Sequence, residues 1–135
     1  KTVTDDLGVK KDASSFVIPV GATINMDGTA IMQGLATMFI ASTAGIDLSI
    51  IEYIQIVMLA MVASIGAAAV PSAGTITLAL ILSTLGLPLD AIGLILAVDR
   101  ILDMIRTSVN VCGDAAVACI VANSEKLIDR SIFNK

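Results

Sequence analysis

Histidine and tryptophan are absent from this 135-residue sequence, and aromatic residues make up only 3% of it. The lack of histidine excludes a histidine-based catalytic triad and histidine-ligated metal sites. Charged residues are also scarce, at 15% compared with about 25% in soluble domains. Hydrophobic residues reach 56%, and the mean hydropathy is +0.94. This composition excludes both an ordinary soluble globule and a disordered chain.

Lysine and arginine occur only before residue 12 and after residue 99. With a net charge of −4 and no basic patch, the chain is not expected to bind nucleic acid. Positive charges beside membrane spans favour the cytoplasmic side. We therefore expect a chain embedded in a lipid bilayer, with both ends of this segment in the cytoplasm.

Cysteine and the start of the sequence give little further information. Cys112 and Cys119 fit neither a CxxC pair nor a disulfide framework, so they are interpreted as free thiols in an apolar helix. The sequence begins with Lys1, and no signal peptide precedes the first apolar run. We expect it to be a piece of a longer chain.

Five apolar runs follow one another along the chain, at 16–24, 30–44, 50–63, 75–87 and 91–122. A transmembrane helix needs about 20 apolar residues, so only the last run is long enough by itself. The breaks at 25–29 and 64–74 are polar or rich in glycine and proline but nearly uncharged, unlike surface loops. Such backbone is tolerated at membrane depth where protein or a cavity satisfies its polar groups.

These runs predict an all-α membrane protein with two crossings and one re-entrant hairpin. The predicted segments are a cytoplasmic lead-in at 1–15, a transmembrane helix at 16–44 that is unwound at 25–29, a re-entrant helical hairpin at 50–87 with its tip at 64–74, a final transmembrane helix at 91–122 and a cytoplasmic tail at 123–135.

A polar stripe runs along the last apolar segment. Spacings of 4, 3, 4 and 4 place five residues on one helix face: Asp99, Asp103, Arg106, Asn110 and Asp114. Intramembrane charges cost several kcal/mol each and usually face a bundle interior or a water-filled path. With Asp27 included, four acids surround Arg106, so small cations, protons or a ligand ammonium are expected to balance the charge.

The residue types on the stripe favour an acidic amino acid as ligand. The arginine fork suits a carboxylate, and the acids suit an ammonium. Backbone carbonyls freed at 25–29 and at 64–67 are suitable ligands for Na⁺, a hard cation that takes oxygen donors.

Three motifs carry a resemblance to a known family. They are Asn25-Met26-Asp27-Gly28-Thr29, then Ser64-Ile65-Gly66 with Val70-Pro71-Ser72-Ala73-Gly74, then Asp103-Met104-Ile105-Arg106-Thr107 with Asn110-Val111 and Gly113-Asp114. In this order they resemble the sodium:dicarboxylate symporter family, which contains the excitatory amino acid transporters and archaeal aspartate transporters. The similarity covers about residues 8–123 and corresponds to the seventh transmembrane helix, the second re-entrant hairpin and the eighth helix.

The resemblance implies an elevator-type transport domain, not an enzyme, which carries aspartate or glutamate together with Na⁺ and uses no organic cofactor. It further implies a location in the plasma (inner) membrane. The implied partners are the remaining N-terminal part of the same transporter and two further copies in a homotrimer.

The resemblance also implies three sodium sites. The first uses the Asp114 carboxylate and the carbonyls of Gly21, Asn25 and Asn110. The second uses the carbonyls of Thr23, Ser64, Ile65 and Ala67. The third uses the Asn25 side chain and Asp27.

The implied substrate contacts lie on the stripe and the hairpin. Asp103 would bind the substrate amino group, and Arg106 the side-chain carboxylate, with Asp99 orienting Arg106. The other implied contacts come from Asn110, Thr107, Thr29 and the backbone of Val70 and Gly74. Asp103, Arg106 and Asp114 together favour aspartate or glutamate, and Met104 resembles the prokaryotic pattern. Ala69 and Arg100 depart from what the resemblance leads us to expect, and Arg100 has no role in it.

Other interpretations remain open at this point. The stripe could be the solvated face of an amphipathic helix, although its flanks are apolar. The chain could belong to a proton-coupled C4-dicarboxylate carrier. Asp27 and Asp114 could form the dyad of an intramembrane aspartyl protease, which would leave Arg106 and two acids without a role. A channel or a structural subunit would not need four acids.

Overall fold

The computed structural model describes residues 1–66 and 73–134. In order, its helices are α1 (Thr2–Asp5), α2 (Lys11–Ile24), α3 (Asp27–Thr43), α4 (Ile50–Gly66), α5 (Ala73–Thr84), a 3₁₀ turn (Leu89–Ala91), α6 (Ile92–Leu96), α7 (Asp99–Ser124) and α8 (Arg130–Phe133). Within the described ranges, extended pairing is limited to a single antiparallel bridge between Val9 and Ile128. The fold is therefore all-α, as the sequence predicts.

The break between α2 and α3 is shorter than the predicted 25–29. Asn25 and Met26 leave helical geometry, with φ/ψ of −102°/68° and −106°/59°. The amide of Thr29 donates to the Met26 carbonyl at 3.0 Å, so residues 27–29 already form the first turn of α3. Asp27 lies in that turn, where a negative charge is favoured by the helix dipole. Only two residues are thus unwound.

Helices α4 and α5 pack on α3 and on each other. Ser49 and Glu52 form a capping box at the start of α4, with the Ser49 amide donating to Glu52 Oε2 at 2.7 Å and the Glu52 amide donating to Ser49 Oγ at 3.4 Å. The core between α3, α5 and α6 consists of small and branched apolar residues: Ala36, Ile40, Ala41, Leu78, Leu82, Leu87 and Ile95.

The final apolar run is divided, which differs from the single helix predicted at 91–122. Val98 has φ/ψ of −116°/2° and separates α6 from α7. The break lies where the apolar segment meets the polar stripe, because Asp99 and Arg100 follow Val98 directly. In the described part of the chain, α7 is the one helix long and apolar enough to cross a membrane, with 26 residues.

Large apolar side chains cover the outer faces of α4 and α7. Ile50 is 77% exposed, and Ile101 and Met104 are 65% and 70% exposed. Soluble monomers rarely expose continuous apolar surface on this scale. These faces are suited to lipid or to packing against further helices.

The predicted lead-in and tail pair with each other. The Lys10 amide donates to the Leu127 carbonyl at 2.9 Å, and the Asp129 amide donates to the Gly8 carbonyl at 2.7 Å. Gly8 has a φ of +69°, and a Cβ at this position would lie 2.5 Å from the Asp129 oxygen, so a side chain would not fit.

Apolar burial explains why the two ends meet. Val9, Ala13 and Ala122 are buried in one small cluster that joins the start of α2 to the end of α7. As a result, α2 begins at Lys11 and α7 continues to Ser124, each extending beyond the apolar run from which it was predicted.

Candidate functional site

The break after α2 lies against the middle of α7. The side-chain Nδ2 of Asn25 donates to Asp114 Oδ1 at 3.0 Å. The backbone amide of Asn25 donates to the Gly21 carbonyl at 2.8 Å. A Cβ at Gly21 would overlap the Asp114 carboxylate, so the absence of a side chain is what allows this carboxylate to lie on α2. Residues 21, 25 and 114 of the first predicted sodium set are therefore in contact.

Asp27 belongs to the same cluster of oxygen-bearing groups. A Cβ on Gly113 would lie 3.2 Å from Asn25 Nδ2 and 3.3 Å from Asp27 Oδ2, so both side chains approach the α7 backbone beside Asp114. No group of three or more Asp, Glu or Cys side chains converges among the described residues. Any cation here would therefore depend on backbone carbonyls as well as carboxylates, which is a ligand set that hard cations accept.

The side chain of Asn110, on α7, forms hydrogen bonds with the first turn of α3. Its Oδ1 accepts from the Gly28 amide at 2.8 Å, and its Nδ2 donates to Thr29 Oγ1 at 3.2 Å. Thr29 is buried, and a Cβ on Gly28 would overlap the carbonyl oxygen of Arg106. The Asn110 amide is therefore used within the protein, and close approach of the two backbones depends on Gly28.

Arg106 is held between its own helix and α5. Its Nη2 donates to Asp103 Oδ1. Among the described residues this is the one ion pair. A Cβ on Gly74 would overlap Arg106 Nη1, so the guanidinium lies directly against the start of α5. The Arg106 side chain is 19% exposed and that of Asp103 is 46% exposed. No bond joins Arg106 to Asp99 within the described ranges, and the orienting role of Asp99 stays a prediction.

A polar cavity of about 330 Å³ opens beside this ion pair. Its charged lining residues are Asp99, Arg100, Asp103 and Arg106, and Gly74, Thr75 and Leu96 complete the wall. The cavity therefore joins the first two turns of α7 to the start of α5. Two acids and two arginines face it, so the local charge is more nearly balanced than the sequence count of four acids and one base suggests.

The second predicted sodium set, the carbonyls of Thr23, Ser64, Ile65 and Ala67, lies partly outside the described residues and stays a prediction. The Thr23 hydroxyl donates to the Val20 carbonyl at 2.7 Å, and the buried Ser64 hydroxyl donates to the Met61 carbonyl at 2.8 Å. Each hydroxyl is thus bonded within its own helix, and Ile65 is 53% exposed. The predicted sodium ligand Ala67 and the predicted substrate contact Val70 lie outside the described residues, as does much of the predicted tip at 64–74. Thr107 is exposed on α7.

A family profile described as the sodium:dicarboxylate symporter family matches residues 1–124. The chain belongs to this family. It is therefore part of an integral membrane protein from a family of transporters rather than of enzymes, and the interpretation as an aspartyl protease is not supported.

Individual relatives from this family align along most of the chain. It is 51% identical over 122 residues to an excitatory amino acid transporter of Onchocerca volvulus, covering 90% of this chain and 25% of that protein. It is 48% identical over 126 residues to excitatory amino acid transporter 2 of Mus musculus, covering 93% and 22%. It is 52% identical over 118 residues to excitatory amino acid transporter 3 of Mus musculus, covering 87% and 23%. The chain thus spans about a quarter of the length of these symporter-family relatives.

Sequence reasoning did not single out Gln33. It is fully buried on α3, and its Nε2 donates to Thr77 Oγ1, which in turn donates to the Gly74 carbonyl at 3.1 Å. This connection ties α3 to the part of α5 that touches Arg106. A polar residue inside the apolar run at 30–44 was the available signal, since a buried amide needs partners.

Proposed function

We propose that the chain forms part of a secondary transporter that carries an acidic amino acid, aspartate or glutamate, together with Na⁺. The observation that carries this proposal is the Arg106–Asp103 pair on the wall of a polar cavity. The names of the relatives, which are excitatory amino acid transporters, support the same substrate class.

The charges of the ion pair are complementary to those of an amino acid, with Arg106 opposite a carboxylate and Asp103 opposite the ammonium. When substrate is absent, Arg106 and Asp103 neutralise each other. A zwitterionic substrate replaces both halves of the pair, because its carboxylate binds the guanidinium and its ammonium binds the aspartate. These two charges of the substrate are paired in the exchange, which avoids the desolvation penalty that they would incur if unpaired, and the second carboxylate carries the remaining charge of −1.

The neighbouring cluster of Asn25, Asp27 and Asp114 supports cation binding. An acid held against a helix break, with backbone carbonyls free nearby, is the arrangement by which broken membrane helices hold Na⁺. Here the Asp114 carboxylate lies against Gly21 and accepts from Asn25. We assign Na⁺ as a co-transported ion, with the three ligand sets that the family resemblance implies. The second set depends in part on Ala67.

The same helices connect the two sites. Asn110 bonds to the first turn of α3, which begins at Asp27, and lies one turn beyond Arg106 on α7. Binding of Na⁺ at the break therefore positions the backbone that lies against Arg106. This coupling is the basis of the proposed symport.

The transport cycle that we propose is of the elevator type. Helices α4 and α5 form the re-entrant hairpin that closes over substrate and ions, and both ends of the segment face the cytoplasm of a plasma (inner) membrane protein. The rest of the transporter and a homotrimeric assembly complete the functional unit.

The test is aspartate binding by the full-length protein that carries this sequence, purified in detergent and titrated with and without Na⁺. We expect tight binding only when Na⁺ is present. Sodium-independent binding would favour a proton-coupled dicarboxylate carrier instead and would remove the proposed sodium sites.

The variant Arg106→Cys tests the carboxylate contact. Loss of a bidentate charged interaction should weaken aspartate binding at least about 100-fold, since each such hydrogen bond contributes about 1.5–3 kcal/mol. Binding of a neutral amino acid should persist. Arg130→Cys, on the exposed helix α8, is the matched control and should bind aspartate normally. Unchanged aspartate affinity in Arg106→Cys would refute the assigned role.

A further inference from the structure

Arg100 lies in the first turn of α7, on the wall of the polar cavity that also contains Arg106. It is exposed, and it forms no hydrogen bond or ion pair with any residue that the structure describes. The motifs that identify the family leave it without a role. An arginine with no partner among the described residues is an unusual feature here, because Asp99 and Asp103 line the same cavity.

The two arginines of the cavity differ in their freedom. Arg106 is largely buried, bonded to Asp103 and enclosed by Gly74. Arg100 is six residues earlier on the helix, about 9 Å along the axis, and is exposed. The cavity therefore has an inner cation that is already engaged and an outer cation that is available.

We propose that Arg100 is a specificity-determining residue that attracts the carboxylates of an acidic substrate as it enters the cavity, before Arg106 binds one of them. This inference rests on the proposed function and extends it to the entry step. Arg106 supplies the final contact, whereas Arg100 selects negatively charged ligands during approach.

The charge of the cavity supports this role. Asp99 and Asp103 together would repel a substrate of net charge −1 if Arg106 were their only counter-charge. Arg100 brings the sum over the four charged lining residues to zero. Long-range attraction between an exposed charge and a ligand acts mainly on the association rate and is screened by salt.

The experiment measures the aspartate association rate by stopped flow in the full-length protein, with Na⁺ fixed at about 10 mM. Ionic strength is raised with choline chloride from about 0.01 M to about 1 M, which shortens the screening length from about 30 Å to about 3 Å. At low ionic strength we expect Arg100→Gln to slow association about three-fold and Arg100→Glu about ten-fold. Arg100→Lys should retain the wild-type rate.

Two readouts separate this role from a structural one. The rate differences should vanish at about 1 M ionic strength, which a misfolded cavity would not show. At that ionic strength the sodium concentration for half-saturation should be unchanged, because Asp114 lies 14 residues, or about 21 Å, further along α7. Arg130→Gln removes the same charge far from the cavity and should leave the association rate unaltered.

The inference is overturned if Arg100→Glu and Arg100→Lys associate at equal rates, or if the slowing persists in high salt. This comparison of two folded variants remains informative even where Arg100→Gln is unstable. Failure of the proposed function looks different, because the wild-type protein itself would then show no sodium-dependent aspartate binding.

Discussion

Replacing Gly28 with alanine is a stringent test of how α3 meets α7. A Cβ at this position would overlap the Arg106 carbonyl oxygen and lie 3.0 Å from Val109 Cβ. Carbon atoms in favourable contact are about 3.5–4.0 Å apart, so the start of α3 would have to move by about 0.5–1 Å. The obstruction is backbone, which has no other rotamer to adopt.

The movement has a cost that can be worked out from the contacts. Overpacking of a closely packed contact costs about 1–3 kcal/mol. The hydrogen bond from the Gly28 amide to Asn110 Oδ1 would also lengthen from 2.8 Å, with a loss of about 1 kcal/mol. Because Arg106 moves with its carbonyl, we expect at least a ten-fold weaker aspartate affinity and a lower unfolding temperature for Gly28→Ala.

The matched control lies on the same helix. Gly34 is in the interior of α3, and apart from the adjacent backbone of its own helix no described atom lies within 4 Å of a Cβ built on it. Gly34→Ala should therefore stabilise the helix by about 0.5–1 kcal/mol, as expected for glycine replaced in a helix interior. The two alanine variants thus differ in the sign of their effect.

The assay is thermal unfolding together with sodium-dependent aspartate binding, both on the full-length protein in detergent. The reasoning fails if Gly28→Ala keeps its aspartate affinity within two-fold of the wild-type value. It also fails if both alanine variants lower the unfolding temperature equally, because the close approach of α3 to α7 would then have no particular effect.

Three further outcomes are expected. Asp114→Asn should raise the sodium concentration for half-saturation about ten-fold or more in the binding assay, whereas exposed Asp12→Asn should not; equal effects would argue against the sodium site. Gly21→Ala should act in the same direction as Asp114→Asn, because its Cβ displaces the Asp114 carboxylate; unaltered sodium dependence would contradict that contact. Hydrogen bonds from the Ser131 hydroxyl and amide lower the pKa of Asp129 below its ordinary value of 3.8. The cap of α8 should then be constant above about pH 4 and lost as the pH falls through the lowered pKa, seen as a smaller protection of the Ser131 amide relative to its intrinsic exchange rate at each pH; Asp129→Asn should abolish that pH dependence.

Much of the helical order follows from local signals. The apolar runs predict α2 to α5 because each is bounded by residues that interrupt a hydrophobic pattern, such as Asn25. The Asp103–Arg106 pair follows from a spacing of three on one helix. These features depend on neighbours close in sequence, which a single sequence records directly.

Other features depend on partners that are distant in sequence. The division at Val98 was not predicted although Asp99 and Arg100 follow it directly, because charged residues on one face do not by themselves interrupt a helix. The use of the Asn110 side chain on Gly28 requires knowing that α3 lies against α7. Likewise, Val9 pairs with Ile128, although the sequence predicts their two segments only as separate polar ends of the chain. The position of Arg100 on the cavity wall was hidden for the same reason.

The bond between Asn25 and Asp114 has a consequence for how the protein is made. Its two residues are separated by 89 positions, so at about 5–20 residues per second the ribosome needs about 4–18 s between them. During that interval the polar break exists without the helix that satisfies it. The polar groups of the break between α2 and α3 must therefore be hydrated or covered by other protein until α7 has been made.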